Sequence, residues 1–364
     1  MCFFVNFIIH INFFLFMRSV SLILVLLCST ALYSYPIDDS LVKKSNLRVV
    51  FDGTNARDYC KSIVGVLNPQ TNCTENYIFD KSIYNLKVDT LPQIKFWRDI
   101  MNMHQDTALI CVANSRCILQ KISLKDWNAK SDSAKKYYKD SVRLTRNLDT
   151  TSRILLTSGK KFFYDFDKTS VNFDKGIRCF MQNDVDPWYA QAILLIESPN
   201  KLQKSNVGAY GSFQLMRDVA KMYGLKVNKT IDERADFERS AYAASSLLKY
   251  ICIPRARRML DSLRINNYDE QDLWFRLLVM HVYHAGAGNV QRALFSFCPT
   301  EGNMDLIYTL WRTQAGKFKS SSQNYSQLVL AAMLEMNDRN PSLDKAVFLN
   351  ASLEDQLKFV PSKN

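Results

Sequence analysis

The chain has no C-x-x-C pair and only four histidines, one of which, His10, falls in an apolar leader. Metal sites built from closely spaced cysteines and histidines are therefore excluded as an organising feature, and no metal is expected. There is no zinc-finger spacing, no basic stretch running into heptads and no aromatic RNA-binding signature, so the net charge of +12 is not that of a nucleic-acid reader. Internal repeats and Pro-rich or Gly/Ser-rich linkers are also missing, which argues against a solenoid or a string of tethered modules. What remains is a globular composition, 47% hydrophobic and 23% charged over 364 residues, enough for one or two cores.

Charge is also nearly absent from the first 31 residues, where Arg18 stands alone. Counted from Met17, Arg18 is a positive start, Val20 to Leu27 an apolar run, and Ser29-Thr30-Ala31 a small-residue cleavage site. This is the pattern of an export signal, with a retained membrane anchor as the alternative. The excess positive charge lies beyond it and favours anionic partners, an acidic cell-wall polymer among them. Cys60, Cys73, Cys111, Cys117, Cys179, Cys252 and Cys298 also lie beyond it, an odd number. For an exported chain the close pairs Cys60/Cys73 and Cys111/Cys117 are candidate disulfides, with buried free thiols as the alternative.

Four stretches divide the chain: 1–31 as signal or anchor, 32–175 as a largely helical region of unknown fold and role, 176–337 as a helical domain, and 338–364 as a tail. The basic run Lys135 to Arg146 reads as a solvated helix face. From residue 184 onward the signals are sharper. Asp186 and Pro187 open the run Trp188 to Glu197, which is apolar on all sides and marks a buried helix stopped by Pro199. Further helices are expected after Gly211 (Leu215, Val219, Met222), from Asp236, around 254–264, 273–283 and 289–297, and over 303–313 and 324–337. No strand alternation competes with them, so the fold class is all-α.

A carboxylate ending an apolar helix is desolvated, and desolvation raises a glutamate's pKa until it can donate a proton near neutrality. Glu197 is in that position. It is followed by Ser198, then by Ser205-Asn-Val-Gly208-Ala-Tyr-Gly211-Ser-Phe-Gln214-Leu-Met216, by Tyr223-Gly-Leu225 and Ile231-Asp-Glu-Arg-Ala-Asp236, by Val282-Tyr283-His284-Ala285-Gly286-Ala-Gly288-Asn-Val290, and by Asn324-Tyr325.

In order and spacing these blocks resemble the lytic transglycosylase family, and the Tyr223 and Asp232 segments look like its membrane-bound D-type branch. The resemblance spans roughly residues 184 to 337. It implies a lysozyme-like helical fold and cleavage of the bond between N-acetylmuramic acid and N-acetylglucosamine in peptidoglycan. It further implies 1,6-anhydro products, no cofactor, and a periplasmic or envelope location. Glu197 matches the family's catalytic acid and base. Ser205, Gln214, Tyr283, His284 and Tyr325 match positions lining its cleft. The sequence departs from the pattern at three places: His284 stands where the family has asparagine and can add charge at low pH, Pro199 follows the Glu-Ser pair, and Ser212-Phe213 changes the packing beneath the sugar. The rival enzyme reading is a goose-type lysozyme, whose second carboxylate would come from Asp232, Glu233 or Asp236. A non-catalytic wall-binding protein is the rival outside enzymes.

Overall fold

The computed structural model describes residues 63–68, 73–164, 166, 172–197 and 204–339, with backbone alone for 66–68 and 73–75. The leader and Cys60 lie outside these described residues, and with Cys60 so does the Cys60/Cys73 pairing.

The strongest sequence signal gives the central element. Helix α5 runs from Trp188 to Glu197, and every residue from Trp188 to Ile196 is buried. Asp186 starts it by accepting a hydrogen bond from the Trp188 backbone N–H at 2.9 Å, which satisfies one of the amides a helix start leaves unpaired. Before it, in chain order, come β1 (Ile63–Asn68), β2 (Cys73–Ile78), two short helical turns at Ser82–Asn85 and Val88–Thr90, α1 (Pro92–Asn102), β3 (Thr107–Val112), β4 (Ile118–Ser123), α2 (Leu124–Asn128), α3 (Asp132–Thr145), β5 (Ile154–Ser158) and α4 (Phe173–Gln182). After it come α6 (Arg217–Met222), α7 (Phe237–Leu247), a π turn at Leu248–Cys252, α8 (Ile253–Ser262), α9 (Leu273–Ala285), α10 (Ala287–Phe297), α11 (Met304–Leu310) and α12 (Ser320–Asp338).

Helices α4 and α12 pack on α5, and α12 also packs on α9 and α1. All-around burial of α5 follows from these neighbours. The expected helical fold of this half is what the structure has. Its bounds differ in places: α6 begins at Arg217 and leaves Met222 exposed, because the loop before it holds Leu215 in a bridge with Tyr210. The bland reading of the basic run is also what α3 shows, with no buried residue along it.

The region before α4 has the expected helical stretches and, beside them, two small antiparallel sheets. One is the hairpin β1–β2, pairing Ile63 with Ile78. The other has the order β4–β3–β5, with Leu109↔Lys121 and Leu109↔Thr157 in register. Short strands of five or six residues, all but β3 sheet edges, leave little period-two pattern to read. Cys111 and Cys117 are both free, the first buried and the second exposed. The candidate disulfide between them is therefore absent, and the alternative of a buried free thiol holds for Cys111.

One core runs through residues on both sides of position 175, from Ile94, Phe96 and Trp97 of α1 to Val329 and Met333 of α12. Polar contacts fasten the same seam. Gln191, fully buried in α5, accepts from the Ile78 backbone N–H at 2.8 Å and donates to its carbonyl at 2.9 Å, as a neighbouring strand would. Arg98 donates to Glu335 at 2.6 Å and also reaches Asp338. Deepest of all, Arg276 bonds Asp186 at 2.8 Å and Asp80 at 3.3 Å, and the Trp188 indole donates to Asp80 at 2.9 Å.

Candidate active site

Because α5 carries apolar residues on every face, its last residue leaves the core with its carboxyl still enclosed. Glu197 is half-buried, and desolvation pushes its pKa up to about 7, against the opposing pull of a hydrogen bond from Tyr325. The Tyr325 hydroxyl donates to Glu197 Oε1 at 2.7 Å. Tyr325 comes from the first turns of α12 and is itself buried. This neutral donor steadies the carboxylate once the proton of the acid form has left.

His284, near the C-terminal end of α9, lays its ring on that of Tyr325, with centroids 4.2 Å apart and planes 20° from parallel. Enclosure of the imidazole pushes its pKa down to about 4, so the ring is neutral at ordinary pH. The charge that His284 was expected to bring at low pH is confined to strongly acidic conditions. Tyr283 is half-buried on the same helix, and burial together with the nearby Glu197 charge holds its hydroxyl well above the usual range. That hydroxyl donates to the Phe213 carbonyl at 2.6 Å.

The loop holding Phe213 is shaped by its glycines. Gly211 has φ +86°, and a Cβ there would lie 1.9 Å from the Arg234 carbonyl oxygen, so no other residue fits. Arg234 is buried and holds the loop from below. It donates to the Gly208 carbonyl at 2.8 Å and the Leu215 carbonyl at 2.9 Å, while Asp232 takes two further bonds at 2.8 and 2.7 Å. Phe213 points down and stacks on Phe180 at 5.5 Å, which is how the departure at Ser212-Phe213 is absorbed.

The six sequence candidates thus divide. Glu197, Tyr325, His284 and Tyr283 are gathered at one place. Ser205 and Gln214 lie on the loop with side chains committed to its shape: Ser205 Oγ accepts from the Ala209 N–H at 2.9 Å, and Gln214, at φ +47°, donates to the Gly211 carbonyl at 3.0 Å. Two residues escaped the sequence reading. Arg234 stood in view within Asp232–Asp236 without a reason to single it out. Tyr164, from the region before α4, is buried close enough for the Glu197 charge to add to the burial that raises its pKa, and nothing in Phe162-Phe-Tyr-Asp marks it.

Residues 180–297 match the family described as the transglycosylase SLT domain. The chain carries a transglycosylase SLT domain. The match begins in α4, covers α5 with Glu197, the Gly208–Gln214 loop and the Tyr283-His284 pair, and ends with α10. Tyr325 lies beyond the matched span, so its place beside Glu197 is known from geometry alone. The matched domain supports an enzyme, a transglycosylase acting on peptidoglycan in general. No curated protein matches the chain. Among the described residues no cluster of His, Cys, Asp and Glu could hold a metal ion, and no helix is long and apolar enough to cross a membrane.

Proposed function

We propose that the chain is a lytic transglycosylase that cleaves the N-acetylmuramic acid to N-acetylglucosamine bond of peptidoglycan and leaves 1,6-anhydro ends. The observation that carries this reading is the Glu197 carboxyl, raised to about 7 and held by the Tyr325 hydroxyl at 2.7 Å. Near neutrality such a group is present in both forms, as acid and base work by one residue requires.

In the first half-reaction the protonated Glu197 gives its proton to the glycosidic oxygen, the bond from that oxygen to the muramic C1 breaks, and the glucosamine leaves as an alcohol. In the second, the Glu197 carboxylate takes the proton of the muramic 6-hydroxyl while that oxygen bonds to C1. The enzyme ends in its starting protonation state and no water is consumed. Attack by a hydroxyl on the same sugar is intramolecular, an advantage that reaches ~7 kcal/mol or more for well-oriented groups. A second carboxylate is then unnecessary.

The carboxylates that a lysozyme-type hydrolysis would draw on are already engaged. Asp232 is paired with Arg234, Glu233 with Arg239 at 3.0 Å, and Asp236 accepts the Arg239 N–H at 2.9 Å as the start of α7. Tyr283 and His284 line the sugar site beside Glu197, and Ser205 and Gln214 act through the loop. The resemblance of the Tyr223 and Asp232 segments is what supports the D-type branch as the narrower reading.

On this reading residues 176–337 are the catalytic domain and 1–31 an export signal or anchor. The enzyme works without a cofactor on glycan strands in the periplasm or envelope, with no nucleic-acid partner. Mass spectrometry of the muropeptides released from sacculi by wild type and by Glu197→Gln tests it. Anhydro-muramic ends from the wild type and none from the variant are expected, and equal release by both overturns the assignment.

A further inference from the structure

The connection between β3 and β4 contains a residue held in an unfavourable way. Arg116 has φ +55°, left-handed backbone that favours glycine, yet it carries a long cationic side chain that is buried. Its guanidinium carbon lies 5.2 Å from the Phe96 ring centroid and 5.3 Å from that of Trp97. From there Nη2 donates to Asn324 Oδ1 at 2.8 Å, and Nη1 lies 3.8 Å from Cys111 Sγ. Asn324 directly precedes Tyr325. One turn further along α12, Gln327 accepts from the Trp97 indole N–H at 3.0 Å. Two hydrogen bonds from outside the SLT match therefore bracket the tyrosine that meets Glu197. A conformation that costs a residue its preferred backbone persists when its surroundings repay the cost, and here the repayment falls on α12.

We propose that Arg116 is a positioning residue for the reaction: through Asn324 it fixes the start of α12 so that the Tyr325 hydroxyl stays in hydrogen-bond reach of Glu197. The proposal rests on Glu197 being the acid and base of the preceding section. It gives the region before α4 a role in catalysis without contact to the reacting atoms.

Two variants of the full chain test it. Arg116→Gly removes the side chain and gives the left-handed turn its preferred residue. Asn324→Ala removes the acceptor at a half-buried site in the first turns of α12. The first readout is the titration of the Glu197 carboxyl by carbon-detected NMR, which needs no substrate. Because the hydrogen bond from Tyr325 lowers that pKa, both variants should titrate at higher pH than the wild type. On soluble peptidoglycan fragments kcat should fall on the order of tenfold with KM within about twofold, the signature of a displaced catalytic group. The double variant should be no worse than the poorer single one. Folded variants with an unshifted Glu197 titration and unchanged kcat would reduce Arg116 to a structural clasp and overturn the proposal, and if Arg116→Gly fails to fold, Asn324→Ala decides alone. A wild type whose Glu197 shifts in these variants but which cleaves no glycan would instead overturn the enzymatic reading while leaving the clasp intact.

Discussion

Helix α5 holds an acid at each end, and the two acids have opposite fates. Asp186, before the first turn, is fully buried but faces the Arg276 guanidinium and the Trp188 N–H, and it sits where the helix dipole favours negative charge. Glu197, at the last turn, meets the unfavourable end of that dipole and has a neutral tyrosine hydroxyl as its partner. Burial raises the pKa of both, but among the described residues only Asp186 has a cation as its partner. A buried acid with a cation is architecture. A buried acid with a hydroxyl is free to gain and lose a proton, and that difference separates the fastening of this fold from its chemistry.

The largest effect that could break this contrast is at the C-terminal end. Glu197→Gln keeps the shape and cannot transfer a proton, so turnover on sacculi should fall by roughly 10³-fold or more, while binding to sacculi in a pull-down persists. Next in size, Arg276→Met should lower the unfolding free energy by about 3 kcal/mol in denaturant melts, because it strands the carboxylates of Asp80 and Asp186 in the core. The folded fraction should keep the Glu197 titration. If Arg276→Met proves neutral in stability, the two acids are not as different as their partners imply.

A third test uses stability against pH. The folded state holds the Glu197 proton up to about 7, above its ordinary value near 4.5, so between those values the folded state binds more protons than the unfolded one. Stability is therefore lost as pH rises through that window. Glu197→Gln removes the loss and should be more stable than wild type by roughly 2 kcal/mol at pH 8, with the advantage vanishing near pH 4.

Smaller again, Tyr325→Phe should raise the alkaline limb of the pH–rate profile and lower kcat by roughly tenfold, since the bond it removes favours the carboxylate. Least of all, His284→Asn should leave the profile between pH 5 and 8 unchanged, because the imidazole titrates at about 4 and is neutral throughout that range. Its depressed pKa means that the folded state binds fewer protons than the unfolded one between about 4 and the ordinary value near 6.5. As pH falls through that window the variant should lose less stability than the wild type, the loss they share coming from the buried His281, whose pKa is pushed down to about 3.

The legibility of the sequence follows the same division. Helix α5 could be read because its signals are local: a capping aspartate, a proline at the first turn, an unbroken apolar run and a terminal carboxylate. Asp236 as the start of α7 was equally plain, and its side chain does accept the Arg239 N–H. The partners of the two acids were legible to different degrees. Tyr325 could be found through its family-like context, but Arg276, Asp80 and Tyr164 meet α5 across long stretches of chain and carry no local mark. Arg116 was hidden for a further reason, since a left-handed arginine contradicts the rule that such turns take glycine or asparagine. The candidate pairing of Cys111 and Cys117 was not decided by spacing, which says nothing of burial, and burial differs between them.

The central claim is that Glu197 works with the substrate's own hydroxyl in place of water. Digestion of sacculi by the full chain in water enriched in heavy oxygen, followed by mass spectrometry of the new glycan ends, tests this most directly. The account predicts 1,6-anhydro ends without heavy oxygen, formed by the wild type and lost in Glu197→Gln. Reducing muramic ends carrying one heavy oxygen would show that water is the nucleophile and contradict it.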